Sequence, residues 1–170
     1  MSRSGRAQAL AARFEEANQE LIDVLGRLPD GGWHRLCPDE GWPVGVTAHH
    51  IAVAYLEHIR ILQAIAEGRP LPPLTWSDLE RINSRHAERH ASCTRPETVD
   101  LLVRNAQAVA RMLQDLSDDQ LKRPGSLIAD LGRLSVRQWV ELVVIGHVHV
   151  HLGSIRAAAG TPVAGDPSGA

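Results

Sequence analysis

The sequence has little lysine, cysteine or aromatic content, and each scarcity excludes a class of protein. Lys122 is the one lysine among 18 basic residues, and these are scattered, so no basic stripe could follow a phosphate backbone. Two cysteines, Cys37 and Cys93, cannot build a disulfide framework and form no Cys-x-x-Cys pair, so we interpret both as packing residues. We therefore expect a cytoplasmic protein that does not bind nucleic acid.

Long apolar runs are also missing. No stretch approaches about 18 uninterrupted apolar residues, and the charged N-terminal residues are not followed by an apolar segment. We therefore expect neither a signal peptide nor contact with a membrane. The 170 residues, 44% of them hydrophobic, suffice for one globular domain. We place this domain at 1–160 and predict a disordered tail over 161–170.

Apolar residues recur every three or four positions and predict long amphipathic helices, the first with the stripe Leu10, Phe14, Ala17, Leu21, Leu25 and Leu28. The predicted segments are 8–28, 43–68, 77–116 as one broken or two consecutive helices, and 135–159, with a short turn at 117–120. Capping-box patterns at Ser77, Thr94 and Ser135 mark helix starts. The fold class is therefore all-α, an antiparallel four-helix bundle, whose core can hold an ion between facing helices.

Two of these helices carry apolar stripes that include histidine. The stripe of the second helix is Val46, His50, Val53, Ala54, Glu57 and Ile61. The stripe of the last helix is Val136, Trp139, Val143, His147, Val150, His151 and Ser154. Residues 145–151 alternate in a way that is typical of a strand, but the helical stripe begins at a good cap and passes through them unbroken. We therefore predict a helix there.

Histidine is abundant, with nine copies. On a helix His147 and His151 lie one turn apart on the same face and can share one ion, whereas His149 lies about 200° round the helix and is expected at the surface. Neutral imidazole is a good ligand for zinc, nickel or ferrous iron. Two ligands are too few for a metal site, so a third must come from another helix.

The candidates for a third ligand are His49, His50, His86 and His90. His50 fits better than His49, because His50 lies in the apolar stripe and His49 is rotated by about 100° toward the helix edge. Glu57 shares the stripe but lies two turns from His50, too far to bind the same ion easily, and is interpreted as a pocket residue.

His86 and His90 form a rival pair, because they too are one turn apart, with Asn83 one turn before His86. Spacing alone leaves this pair open as the metal site. We interpret Asn83 and His86 as pocket-lining or hydrogen-bonding residues in preference to metal ligands, with helix packing as an equal alternative, and His90 as a structural residue. Neither pair has the His-Glu-x-x-His form of a metalloprotease.

Two segments together resemble the DinB/YfiT-like superfamily. Residues 41–50, Gly-Trp-Pro-Val-Gly-Val-Thr-Ala-His-His, place Trp42 and His50 at the spacing of that family, and residues 146–156 supply its His-x-x-x-His pair. Residues 78–87 resemble the third helix of an actinobacterial branch. The resemblance covers nearly the whole chain.

The resemblance implies a four-helix bundle, often dimeric, with one divalent ion, zinc or nickel before iron, held by His50, His147 and His151. Related members include mycothiol-dependent maleylpyruvate isomerase and bacillithiol transferases. By likeness, we expect a metal-dependent transferase that activates a small thiol such as mycothiol toward a small electrophile, with Asn83 and His86 lining the substrate pocket. The alternatives are a metal-binding dimer without turnover and a water-activating metallohydrolase.

Three departures from the family pattern bear on these expectations. Pro43 stands where the family commonly has a Ser or Thr helix cap, and Gly45 weakens the first turn of the helix that carries His50. The isomerase branch has a carboxylate at the position of His147, so the isomerase activity itself does not transfer.

Overall fold

A computed structural model describes residues 4–160, and the predicted tail at 161–170 lies outside this range. The described helices are α1 Gly5–Gly26, α2 Val44–Glu67, α3 Trp76–Arg89, α4 Arg95–Gln114, α5 Asp118–Lys122 and α6 Val136–Ala159. Two short strands, β1 Pro124–Gly125 and β2 Leu134–Ser135, pair antiparallel between α5 and α6.

The four long helices form the predicted bundle. Both α1 and α2 pack against α4 and α6, so the all-α fold class is confirmed. The core contains every residue of the stripe predicted for α1, namely Leu10, Phe14, Ala17, Leu21, Leu25 and Leu28. Phe14 meets Tyr55 of α2 edge to face at 5.1 Å, and the Tyr55 hydroxyl donates to Asn18 at 2.9 Å. Burial of this aromatic pair joins two helices through the core.

Helix starts follow the capping rules, with two corrections. Ser135 forms the predicted capping box. Helix α4 begins directly after Thr94, but the capping box predicted there is not formed, because the Thr94 hydroxyl donates to the side chain of Glu97 and accepts no backbone N–H. The third helix begins earlier than predicted, because Thr75 and Asp78 cap each other's backbone and Ser77 lies inside the helix. Side chains with equivalent capping chemistry two residues apart cannot be ranked by pattern alone.

The last helix contains a π-helical segment, Trp139–Ile145, flanked by α-helix on both sides. The prediction of helix over 145–151 is confirmed. The predicted stripe is wrong at Val150, whose side chain is 64% exposed, and the buried positions are Val148 and Leu152. A π turn takes up one residue more than an α turn, so it displaces the later part of the stripe by one position.

The stripe predicted for α2 needs a similar correction. The fully buried positions include Ile51, Tyr55 and Leu62, whereas Glu57 is exposed and pairs with Arg60 at 2.8 Å. Glu57 is therefore a solvated surface residue and does not line a pocket near His50.

Within residues 4–160, α6 is the helix whose length and composition would allow it to cross a membrane. Its Trp139, Val140, Val148 and Leu152 are buried in the bundle core. Core helices of soluble proteins have the same composition, so this feature is weak evidence for a membrane span.

Helix α3 lies at the side of the bundle. It packs against α2, but no residue of α3 is fully buried, and its Trp76 and Ile82 are about half exposed. Apolar burial therefore contributes little to holding α3 in place.

Candidate metal centre

The structure brings His50, His147 and His151 together. His50 comes from α2, and the other two are one turn apart on α6, which packs against α2. Their candidate ligand nitrogens all lie within 4.8 Å of one another, and Nε2 of His50 is 3.0 Å from Nε2 of His147. His149 is exposed, as the helical geometry predicted.

A tight loop before α2 carries a carboxylate to this triad. Leu36 and Pro43 form an isolated bridge, and the amide of Cys37 donates to the carbonyl of Trp42 at 2.7 Å. Gly41 adopts a φ of +69°, which glycine tolerates best, and so lets the chain turn directly after Glu40. The loop therefore presents Glu40 to α6.

Glu40 holds His151 in one orientation. Its Oε1 lies 2.5 Å from Nδ1 of His151, and its Oε2 accepts a hydrogen bond from the buried Ser154 at 2.6 Å. A carboxylate that accepts from Nδ1–H leaves Nε2 of the same ring with a free lone pair, which is the form that binds a metal. Burial raises the pKa of Glu40 most, but the hydrogen bonds from His151 and Ser154 bring it below its usual value.

Sequence reasoning did not identify Glu40. Helical periodicity cannot reveal a residue in a loop, and the local pattern Glu-Gly-Trp offered only proximity to the start of α2.

We expect Glu40→Gln to weaken metal binding by roughly 10–100-fold, because the variant loses the negative charge of Glu40. That charge orients the ring of His151 and raises the basicity of the ring. Titration of the metal-free protein with Zn²⁺ measures this change. Asp39→Asn is the matched control, since Asp39 is an exposed carboxylate in the same loop. Equal affinities for Glu40→Gln and the wild type would contradict the assigned role of Glu40.

The electrostatics keep two of the three imidazoles, those of His50 and His147, neutral. Burial, followed by the neighbouring His151, lowers the pKa of His50 to about 3, and burial lowers the pKa of His147 well below its ordinary value. Neutral nitrogen is the form that binds metal, so neither His50 nor His147 need lose an acidic proton at neutral pH to bind one. Two nitrogens on a tetrahedral zinc ion lie about 3.4 Å apart, close to the observed 3.0 Å. The three residues therefore fit a divalent ion.

His58 is a further buried histidine that sequence reasoning missed. It lies two turns after His50 on α2, and its ring meets that of His147 edge to face at 5.2 Å. Within the described residues, Nδ1 of both rings is buried without a hydrogen-bond partner. Burial lowers the pKa of His58 to about 4. The ring that packs behind the triad, that of His58, is therefore a neutral imidazole.

This arrangement predicts a loss of stability in acid for the metal-free protein. The pKa of His58 falls from 6.5 to about 4 on folding, so its contribution is complete above pH 6.5 and is lost as the pH drops toward 4. The loss from this one residue is of the order of 3 kcal/mol. Urea unfolding of wild type and His58→Phe across this range should give a flatter dependence for the variant. His34→Gln, at an exposed histidine, should match the wild type.

The remaining histidines form a second cluster beside the triad. His49 is buried, with 7% of its surface exposed, which corrects its expected place at the helix edge. The physical reason is that α3 covers it with His86 and His90. The rings of His86 and His50 lie 5.3 Å apart, so the two clusters adjoin. Asn83 is half-buried on α3, one turn before His86.

Trp42 and Cys37 lie close to the triad. Trp42 meets the ring of His50 edge to face at 5.6 Å. Cys37 is fully buried beside Thr47 and Ser154, and burial raises the pKa of its thiol. A thiol that stays protonated is consistent with a packing role for Cys37.

A cleft of about 480 Å³ lies at the other end of α2, lined by Ile65, Arg69 and Arg123 among others. Ile65 is 15 residues from His50 on one helix, or about 22 Å along its axis. The histidines do not line this cleft. The candidate metal ligands lie at the opposite end of α2.

Comparisons with known proteins agree with this architecture. YfiT from Bacillus subtilis, described as a probable metal-dependent hydrolase with an unusual four-helix bundle topology, has a similar structure, with a TM-score of 0.74 at 16% sequence identity. The likeness covers 95% of this chain and 92% of that one. No curated protein sequence matches the chain. The family model of the DinB superfamily matches residues 13–155, a range that contains all three triad histidines, and the chain therefore belongs to the DinB superfamily.

Proposed function

We propose that the protein binds one divalent metal ion, zinc or nickel before iron, through His50, His147 and His151, and uses it to transfer a small thiol to an electrophilic small molecule. The observation that carries this proposal is the convergence of three imidazoles, one of them held by Glu40. We place the protein in the cytoplasm, where low-molecular-weight thiols such as mycothiol are kept reduced.

The three proposed imidazole ligands suit a metal ion that lowers the pKa of a weak acid such as a thiol. All three proposed ligands are imidazoles, which coordinate a metal in their neutral form, so none offsets the charge of the ion. A divalent ion bound there would act as a Lewis acid that lowers the pKa of a coordinated thiol, and thiolate is the nucleophilic form.

The surrounding residues of the chain would hold the ligands and shape the site. Glu40 fixes the ring of His151, and Trp42 packs on the edge of His50. His86 lies next to His50, and Asn83 is one turn away on the same helix. We propose that Asn83 and His86 line the pocket for the substrate.

The contacts of Glu40 favour a thiol over water as the nucleophile. Both of its oxygens are engaged, one with His151 and one with Ser154, so this carboxylate is not placed to remove a proton from water. A thiol coordinated to a divalent ion is deprotonated outright and needs no general base, whereas zinc-bound water keeps a pKa of about 7 to 9. Hydrolysis is the second candidate, because YfiT is described as a probable metal-dependent hydrolase.

The test is turnover by the metal-loaded protein. Mycothiol and a monochlorobimane-type probe should give a fluorescent conjugate faster with the wild type than with His50→Ala, while His149→Ala should match the wild type. Bacillithiol in place of mycothiol tests the choice of thiol. Turnover of ester substrates without any thiol would support the hydrolase. Failure of both reactions with fully loaded protein would leave a metal-binding bundle without turnover and overturn the enzyme proposal.

We further propose that the protein is a homodimer. Light scattering on the purified chain should then give about twice the monomer mass of 18.5 kDa. A mass equal to that of one chain would contradict this.

A further inference from the structure

His49, His86 and His90 form a second set of three converging imidazoles. Their candidate ligand nitrogens lie within 4.8 Å of one another, as in the first triad. Nδ1 of His49 is 3.3 Å from Nε2 of His86, which matches the separation of about 3.4 Å between two nitrogens on a tetrahedral zinc ion. The spacing of these two nitrogens therefore suits an ion.

The three rings are gathered from two helices. His86 and His90 are one turn apart at the C-terminal end of α3, and their ring centroids are 4.7 Å apart. His49 comes from the first half of α2 and stacks on His90 at 4.1 Å. This is the same pattern as in the first triad, with two ligands from one helix and one from its neighbour.

The weak packing of α3 gives this cluster a structural role. Helix α3 has no fully buried residue, so the histidines are a main point of contact between α3 and α2. An ion shared by the two helices would supply the attachment that apolar burial does not supply.

We infer that His49, His86 and His90 bind a second divalent metal ion, which fastens α3 to α2 beside the first site. The two sites are neighbours because His49 and His50 are consecutive in α2 and His86 touches His50. The carboxylate of Glu97 acts on His49 electrostatically and would offset part of the added positive charge.

The inference is independent of any activity and is tested by counting ions. Protein stripped with a chelator, reloaded with Zn²⁺ and desalted should contain two zinc ions per chain by mass spectrometry of the elements. His90→Ala and His151→Ala should each retain one, and the double variant none. His149→Ala, at an exposed histidine of α6, is the matched control and should retain two.

A second measurement separates the two sites by their effect on α3. In the His151→Ala background, Zn²⁺ should slow amide hydrogen exchange in α3 by at least tenfold, and adding His90→Ala should remove this protection. One zinc ion in the wild type, retained in His90→Ala and absent from His151→Ala, would overturn the inference and leave the first site intact. Zinc-independent exchange of α3 in His151→Ala would overturn it as well.

Discussion

Replacing His147 by alanine is expected to weaken binding at the first site by more than about 100-fold, since loss of a residue that only orients a ligand already costs 10–100-fold. The ring of His147 is enclosed by the rings of His50, His58 and His151. The variant should therefore contain one zinc ion fewer per chain than the wild type.

His149→Ala is the control for this experiment. It removes the same side chain two residues later on the same helix, at an exposed position, and should leave both affinity and ion content unchanged. Zinc titration with a competing chelator dye measures the two affinities. If His147→Ala retained its ion, or if His149→Ala lost one, the assignment of the first site would be wrong.

Replacing Gly45 by alanine is expected to destabilise the fold by about 2 kcal/mol, within the range for overpacking of a closed core. A Cβ at this position would lie closer than 3.0 Å to three ring atoms of Trp33. The ring cannot easily move away, because it is buried and its Nε1 donates to the carbonyl of Cys93 at 3.0 Å. The clash outweighs the better helix propensity of alanine, which is at most about 1 kcal/mol.

Gly153→Ala in α6 is the matched control. Nothing lies within 4 Å of a Cβ at that position, so the substitution should leave stability unchanged or raise it slightly. Urea unfolding measures both variants, and the near-ultraviolet circular dichroism of tryptophan should change in Gly45→Ala. Equal stability of Gly45→Ala and the wild type would show that Trp33 has room to shift. Because Gly45 lies one turn before His49 and His50, metal affinity should fall in the same variant.

These contacts explain why the sequence predicted one part of the fold better than another. The stripe of α1 was confirmed in full because it runs along a regular helix. In such a helix the spacing of residues alone determines the direction in which each side chain points. Val150 was placed wrongly because a π turn leaves no mark in the apolar pattern. The sequence predicted a weak first turn of α2, because Gly45 lies in it. The sequence could not show that Trp33 occupies the space that a side chain at position 45 would need.

The candidate metal site, like the fold, could be predicted from the sequence in part. The meeting of His50 with His147 and His151 follows from helical spacing together with the family resemblance. Glu40 depends on the path of a loop, which periodicity does not describe. The burial of His49 depends on where α3 lies against α2, a tertiary contact that is not encoded in either helix alone.

The π segment of α6 has a consequence for comparing this chain with its relatives. A π turn is equivalent to an α-helix with one inserted residue, and the exposed Leu142 lies in the middle of it. A relative one residue shorter here could have an unbroken α-helix with the same faces on both sides. A single-residue gap between positions 139 and 145 in an alignment would then record this insertion, while the histidines that follow stay aligned.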